Sequence, residues 1–172
     1  MTQPIPAWKD GLLSPQDKLQ VHLDGLRHMA VSVFVLSGDH LLIQRRAFEK
    51  YHTPGLWANT CCTHPDWQED PGDCAVRRLQ QELGIEGLAP QHRGQVEYRA
   101  DVGNGMVEHE LVDVFVCQAA MSLPLALNPA EVIQARWITL SDLDIEIAQM
   151  PDRFTPWLQI YLAKHREQIL GA

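Results

Sequence analysis

The chain has 172 residues, 45% of them apolar and 21% charged, with a formal net charge of −8. That length suffices for one domain with a sizeable core and is short for two. The acidic balance excludes a protein that holds nucleic acid by bulk electrostatics, and any anionic ligand must be met by a local basic cluster.

The stretch before Leu12 carries prolines and an acid where a signal peptide needs a continuous apolar run. Residues 1–27 read as an N-terminal segment of the same domain, whose body runs over 28–172. Met29 to Leu36, the longest apolar stretch, is too short to insert in a membrane. With His40 to Arg45 it flanks Ser37-Gly38-Asp39, which predicts a β-hairpin. Residues 46–58 contain Pro54-Gly55 and read as loop. Asp70-Pro71 then predicts an N-cap followed by proline at the first helical position. Ala75, Val76, Leu79 and Leu83 recur at helical spacing, Gly84 is a C-cap, and Arg78 and Glu82 share the polar face. Gln95 to Ala100 and Met106 to Cys117 flank Gly103-Asn104-Gly105, a second hairpin. Ala135 to Leu140 reads as a further strand. Thr155-Pro156 predicts a final helix carrying Leu158, Tyr161, Leu162 and Ile169. Mixed strands with two or three helices give one α/β (α+β) domain, a mixed β-sheet sandwich with flanking helices.

The cysteines, Cys61, Cys62, Cys74 and Cys117, form no C-x-x-C pair, and adjacent cysteines bridge only with strain. They read as free thiols in a reducing, cytoplasmic compartment. His22, His28, His64, Glu108 and Glu110 form the most suggestive set. Each alone reads as a surface or satisfied core residue, but Glu108 and Glu110 share one side of a strand about 7 Å apart. A cation between them would resolve their repulsion. Three imidazoles and two carboxylates suit six-coordinate Mn²⁺ or Mg²⁺, or Zn²⁺. Cys62, two residues before His64, is either a buried thiol or one tuned by a charged neighbour. Lys18, Arg46, Lys50 and Arg78 are either solvated charge or a clamp for a diphosphate.

The segment from His64 to Ile85 resembles a degenerate Nudix box, G-x5-E-x7-R-E-U-x-E-E-x-G-U with U apolar. Thr63 stands for the glycine, Glu69 and Arg77 match, and Glu82, Gly84 and Ile85 match. Arg78 and Gln81 replace two glutamates that hold magnesium in Nudix hydrolases, which reverses the local charge. Type 1 isopentenyl diphosphate isomerases show the same degeneration. The chain is similar to them from about Lys18 to Trp157: R-R-A-x-x-K-x-x-x-P-G-x-W-x-N (Arg45 to Asn59), C-x-H-P (Cys62 to Pro65), R-R-x-x-x-E-L-G (Arg77 to Gly84), Y-R-A with G-x-V-E-x-E (Tyr98 to Glu110), and T-P-W (Thr155 to Trp157). Two departures stand out: the family usually leaves one more residue between the first two histidines, and its C-G-H-P reads Cys62-Thr63-His64-Pro65 here.

The resemblance implies a Nudix-like fold in which His22, His28, His64, Glu108 and Glu110 bind one divalent metal, Mn²⁺ or Zn²⁺. Glu82 would hold a second, Mg²⁺. Lys18, Arg46, Lys50 and Arg78 would contact the diphosphate of a small isoprenoid substrate, and Trp157 would face its hydrocarbon. Cys62, Glu110 and Tyr98 would move protons. The competing readings are a Nudix hydrolase of nucleoside diphosphates, which needs the helix glutamates this chain lacks, and a catalytically silent metal-binding module, which needs no intact Cys62, Glu110 and Tyr98.

Overall fold

The computed structural model describes residues 3–171. A two-residue turn with Asp10 and Gly11 at φ 52° and 80° joins β1 (Pro4–Lys9) to β2 (Leu12–Asp17), and α1 (Lys18–Asp24) follows directly. The hairpin expected around Gly38 is present as β3 (Arg27–Ser37) and β4 (His40–Arg46), closed by the Ser37–His40 pair. The next loop is interrupted by the two-residue β5 (Trp57–Ala58), and β6 (Cys61–Thr63) follows it. Helix α2 (Pro71–Leu83) begins where Asp70-Pro71 predicts. The Asp70 carboxylate accepts from the backbone N–H of Gly72 at 2.8 Å and of Asp73 at 3.2 Å, and Gly84 closes the helix at φ 65°.

Long strands β7 (Gln91–Gly103) and β8 (Met106–Gln118) meet at Asn104-Gly105, both with positive φ as a tight hairpin requires. β9 (Val132–Thr139) starts before the expected strand, and its last expected residue, Leu140, opens α3 (Leu140–Gln149). The final helical segment is two helices, α4 (Pro156–Lys164) and α5 (Arg166–Leu170), parted at His165. Thr155 stands at the start of α4 as expected, but its hydroxyl makes no cap hydrogen bond.

β3 organises the sheet. It runs parallel to β8 over ten paired positions and antiparallel to β6, with β1 and β4 on its flanks; β9 extends from β4 and β7 from β8. Alternation then decides what each face buries. Val31, Val33 and Val35 join Cys61, Cys74, Leu79 and Leu83 under α2. Ala30, Phe34, Val112, Val114 and Val96 join Trp157, Leu158 and Tyr161 under α4. Val76, expected in the core stripe of α2, is instead 47% exposed. Arg78 and Glu82 do share a face, but it turns inward: Glu82 is buried.

Candidate active site

The layer beneath α4 is apolar at one end and polar at the other. Along one row, His28 of β3 lies beside Glu110 of β8, and Glu110 beside Tyr98 of β7. Glu108, two residues back, shares that face and is 4% exposed, so this is no solvated pair. His22 arrives from α1, which starts at an Asp17 cap bonded to the Gln20 N–H and stops at Gly25 with φ 63°. His64 follows β6. His22 and His28 each aim Nδ1 at a backbone carbonyl, of Lys18 and Leu26, at 2.7 Å. A carbonyl only accepts, so Nδ1 carries a proton, and in the neutral ring Nε2 is then the nitrogen with a lone pair.

Nε2 of His64 lies 3.1 Å and Nε2 of His28 3.4 Å from Glu110 Oε1, and donor atoms of His22, His28, His64 and Glu110 lie within 4.8 Å of one another. The Tyr98 hydroxyl is 2.8 Å from Oε2 of both Glu108 and Glu110. One hydroxyl hydrogen serves one carboxyl, so without a cation the other must bring its own proton. Burial and the charge of Glu110 push Glu108 far above the usual carboxyl range. Burial would push Glu110 up as well, but the His28 and His64 imidazoles beside it hold it far below. Burial, then the neighbouring His28, lowers His22 to about 4, and burial lowers His64 well below its ordinary value. These two imidazoles are therefore neutral at pH 7, the form that ligates a metal. A buried set of neutral nitrogens and carboxylate oxygens, with Nε2 of His28 lacking any hydrogen bond, fits a divalent cation.

The two cysteines separate by the same alternation. Cys61 is fully buried under α2, its Sγ 3.5 Å from Glu82 Oε2. Cys62 opens to the polar cavity, with Sγ 2.9 Å from Asn59 Oδ1 and 3.0 Å from Ser32 Oγ, which in turn lies 2.9 Å from the Tyr161 hydroxyl. Burial raises the Cys62 thiol well above its ordinary range, so it is protonated at neutral pH.

One cavity is lined by Cys62, Tyr98, Glu108, Glu110 and Trp157 and by Lys18, Arg46, Lys50, Arg78 and Glu82. All four expected basic residues are brought together. Arg46 is buried, its guanidinium carbon 5.2 Å from the Trp157 ring centroid. Arg78 donates to Glu82 at 2.6 Å and faces Glu131 at 3.3 Å, and Lys50 also pairs with Glu131. Burial, with Lys50 and Arg78 close by, lowers Lys18 to about 8. Glu82 also accepts from Gln44 Nε2 at 2.9 Å. Glu69 and Arg77, which fit the Nudix pattern, form a two-bond pair at 2.6 and 2.7 Å that ties the loop after β6 to α2, outside the chemistry.

Trp157 is 1% exposed, so it is core and cavity wall at once. Sequence reasoning missed Ser32, Asn59 and Tyr161 around the thiol, Glu131 among the cations, and His52, a buried imidazole with Nε2 3.2 Å from Glu108 Oε1. Only Asn59 carried a signal, as the last position of the Arg45 to Asn59 motif.

Comparison with known proteins agrees with this geometry. The NUDIX domain profile matches residues 26–158. Isopentenyl-diphosphate Delta-isomerase of Dinoroseobacter shibae is 60% identical over 167 residues, 97% of this chain and 95% of that protein. Its namesake from Cereibacter sphaeroides strain KD131 is 60% identical over 171 residues, 99% of this chain and 97% of that protein. Among solved structures, a Deinococcus radiodurans protein (DR0079) superposes with a TM-score of 0.66 at 14% identity, covering 85% of this chain and 88% of its own. A MutT NUDIX hydrolase from Burkholderia pseudomallei gives 0.63 at 21%, covering 81% and 98%. These last two share the fold. A relative this similar over nearly the whole chain, together with the domain match, means that the chain belongs to the NUDIX family, in its branch of isopentenyl-diphosphate Delta-isomerases.

Proposed function

We propose that this chain interconverts isopentenyl diphosphate and dimethylallyl diphosphate, supplying isoprenoid precursors. The observation that carries the proposal is one cavity lined by a thiol, a carboxylate–tyrosine pair, a buried tryptophan and four basic side chains. An unactivated alkene is a weak base. Isomerisation must add a proton to the terminal methylene carbon, leaving a tertiary cation, and remove a proton from the neighbouring methylene, placing the double bond there. That requires a donor and an acceptor on opposite sides of the alkene. Cys62 takes one role and Glu110, through Tyr98, the other. By microscopic reversibility the two exchange roles with the direction of reaction. The Trp157 ring offers its negative face to the cation, an attraction of about 2 kcal/mol in a desolvated site.

His22, His28, His64, Glu108 and Glu110 would hold one divalent metal, Mn²⁺ or Zn²⁺, and Glu82 an Mg²⁺ that would neutralise diphosphate charge. Bound there, the cations supply charge neutralisation and a fixed electric field at Glu110 and the diphosphate. Lys18, Arg46, Lys50 and Arg78 would hold the diphosphate by charge-assisted hydrogen bonds. Arginine at position 78 adds positive charge where a hydrolase gathers metal-binding carboxylates, and this favours binding a diphosphate without cleaving it. Four free cysteines suit a cytoplasmic enzyme, and no helix among the described residues is long and apolar enough to cross a membrane.

Incubation of purified protein with isopentenyl diphosphate and magnesium should yield dimethylallyl diphosphate without phosphate release. Steady release of phosphate, or of monophosphate from a nucleoside diphosphate, would support the hydrolase; no conversion of either would leave the silent module.

A further inference from the structure

We propose that Glu131 determines specificity at the diphosphate subsite, as a fixed negative charge that limits how much charge an anionic ligand can bring; this rests on the subsite proposed above. A carboxylate among the cations of an anion site needs a reason. Glu131 directly precedes β9, and its side chain is 23% exposed. Its Oε2 pairs with Lys50 Nζ, and its Oε1 lies 3.3 Å from the Arg78 guanidinium. Burial works against its ionisation, but Lys50 and Arg78 hold the carboxyl below its ordinary value, so it is charged at neutral pH.

The backbone fixes that charge in place. The Glu131 carbonyl accepts from the Ala47 N–H at 2.9 Å, at the start of the loop that carries Lys50. Its own N–H donates to the Asn128 carbonyl at 2.9 Å, and the Asn128 N–H donates to the Glu82 carbonyl at 3.0 Å, on the helix that carries Arg78. Val132, the next residue, pairs with Arg46. The main chain thus holds one carboxylate at the side of three of the four cations.

Position decides what it does there. Lys18, Lys50 and Arg78 line both the inner cavity and an outer hollow, and Glu131 lines only the outer hollow. Nε of Arg46 and Nε of Arg78 are buried without a hydrogen-bond partner, so the cations keep donors for ligand oxygens while Glu131 keeps its own bonds. An anion held by Lys50 and Arg78 therefore shares both cations with a like charge. Repulsion grows with the product of the charges, so each further negative charge on the ligand is penalised again. Specificity built from repulsion excludes what attraction alone would welcome. Four cations alone would favour a triphosphate over a diphosphate, and Glu131 offsets that gain. The excluded class is the more highly charged phosphate esters, nucleoside triphosphates among them.

The test is calorimetric binding of orthophosphate, diphosphate and triphosphate to wild type, Glu131→Gln and Glu131→Asp, at matched metal content and without added magnesium, with isopentenyl diphosphate turnover on the same samples. Glu131→Gln keeps the size and the acceptor oxygen and loses only the charge. It should bind all three anions more tightly, with a gain of about threefold or less for orthophosphate and about tenfold or more for triphosphate. Glu131→Asp keeps the charge and should keep the wild-type order of affinities. Glu131→Ala removes the same charge without an amide and should show the same graded gain, so the result does not hang on one variant. An equal gain for all three anions overturns the proposal. So does weaker binding in Glu131→Gln, the result for a carboxylate that merely positions Lys50 and Arg78. Wild type that binds none of the three overturns the subsite and this role with it. Turnover with equal gains refutes only the role of Glu131. Graded gains without turnover keep that role and refute the isomerase.

Discussion

Replacing Cys61 and Cys62 separately by alanine tests which side of β6 faces the chemistry. Cys62→Ala removes a thiol that lies 2.9 Å from Asn59 Oδ1 and 3.0 Å from Ser32 Oγ. Ser32 keeps its bond with the Tyr161 hydroxyl at 2.9 Å, and Asn59 keeps its two backbone contacts, to the carbonyls of Val33 and Cys61 at 3.0 and 3.3 Å. One acceptor is therefore left without its donor, a cost of about 1 kcal/mol. In a domain of this size that lowers Tm by roughly 2–4 °C. Turnover should fall far more, by about 10²–10⁴-fold, the usual contribution of a positioned proton-transfer group. Cys61→Ala empties a small volume in the layer under α2 and should cost about 1 kcal/mol per methylene-sized void while retaining most turnover. Because the Cys61 thiol approaches Glu82 at 3.5 Å, any loss of activity there should appear as a higher magnesium requirement at unchanged maximal turnover. The assay is paired: turnover, Tm and bound metal on both proteins. An active Cys62→Ala, or a Cys61→Ala that is dead at saturating magnesium, refutes the assignment.

Arg78→Ala should reduce kcat/KM by roughly 10- to 150-fold, the equivalent of about 1.5–3 kcal/mol for a hydrogen bond to a charged group, chiefly through KM; steady-state kinetics with metal saturating would show it, and an unchanged KM would remove Arg78 from the diphosphate subsite. Lys18, lowered to about 8 against an unfolded value of 10.5, binds the diphosphate only while protonated, so KM should rise above pH 8 and Lys18→Arg should flatten that rise. The same shift acts on stability with the opposite sign: between pH 8 and 10.5 the unfolded chain holds the extra proton, so the contribution of Lys18 to stability should increase with pH over that window, and the difference in Tm between wild type and Lys18→Met should reveal it.

The parts legible in sequence were those whose signals are local and strong. Asp70-Pro71 and Gly84 bracket α2, and Asn104-Gly105 marks the β7–β8 hairpin, because capping and positive φ restrict which residues can stand there. β1, β2 and α1 were not legible. β2 (LLSPQD) is an edge strand with a proline and no alternation, and α1 has seven residues, too few for a period to emerge. Val76 fell at helical spacing but on the rim, since spacing alone does not say how wide the buried stripe is. In the site, Glu108 and Glu110 could be paired because a strand's period of two puts them together. Ser32, Tyr161, Glu131 and His52 come together only through tertiary packing, and a single residue of such a type carries no spacing to read.

The parallel alignment of β3 with β8 joins opposite halves of the chain, and their pairing sets His28 beside Glu110. A slip of one residue would turn Glu110 toward α2 and disperse the donors. No fragment ending before β8 contains the carboxylates, so ion uptake should be among the last events of folding and should report its completion. Once the native alignment exists, a divalent ion at a hundred times its Kd deepens that state by about 2.7 kcal/mol relative to the unfolded chain. Divalent-ion supply would then govern how much of this protein survives proteolysis in the cell, independently of how fast each surviving molecule turns over.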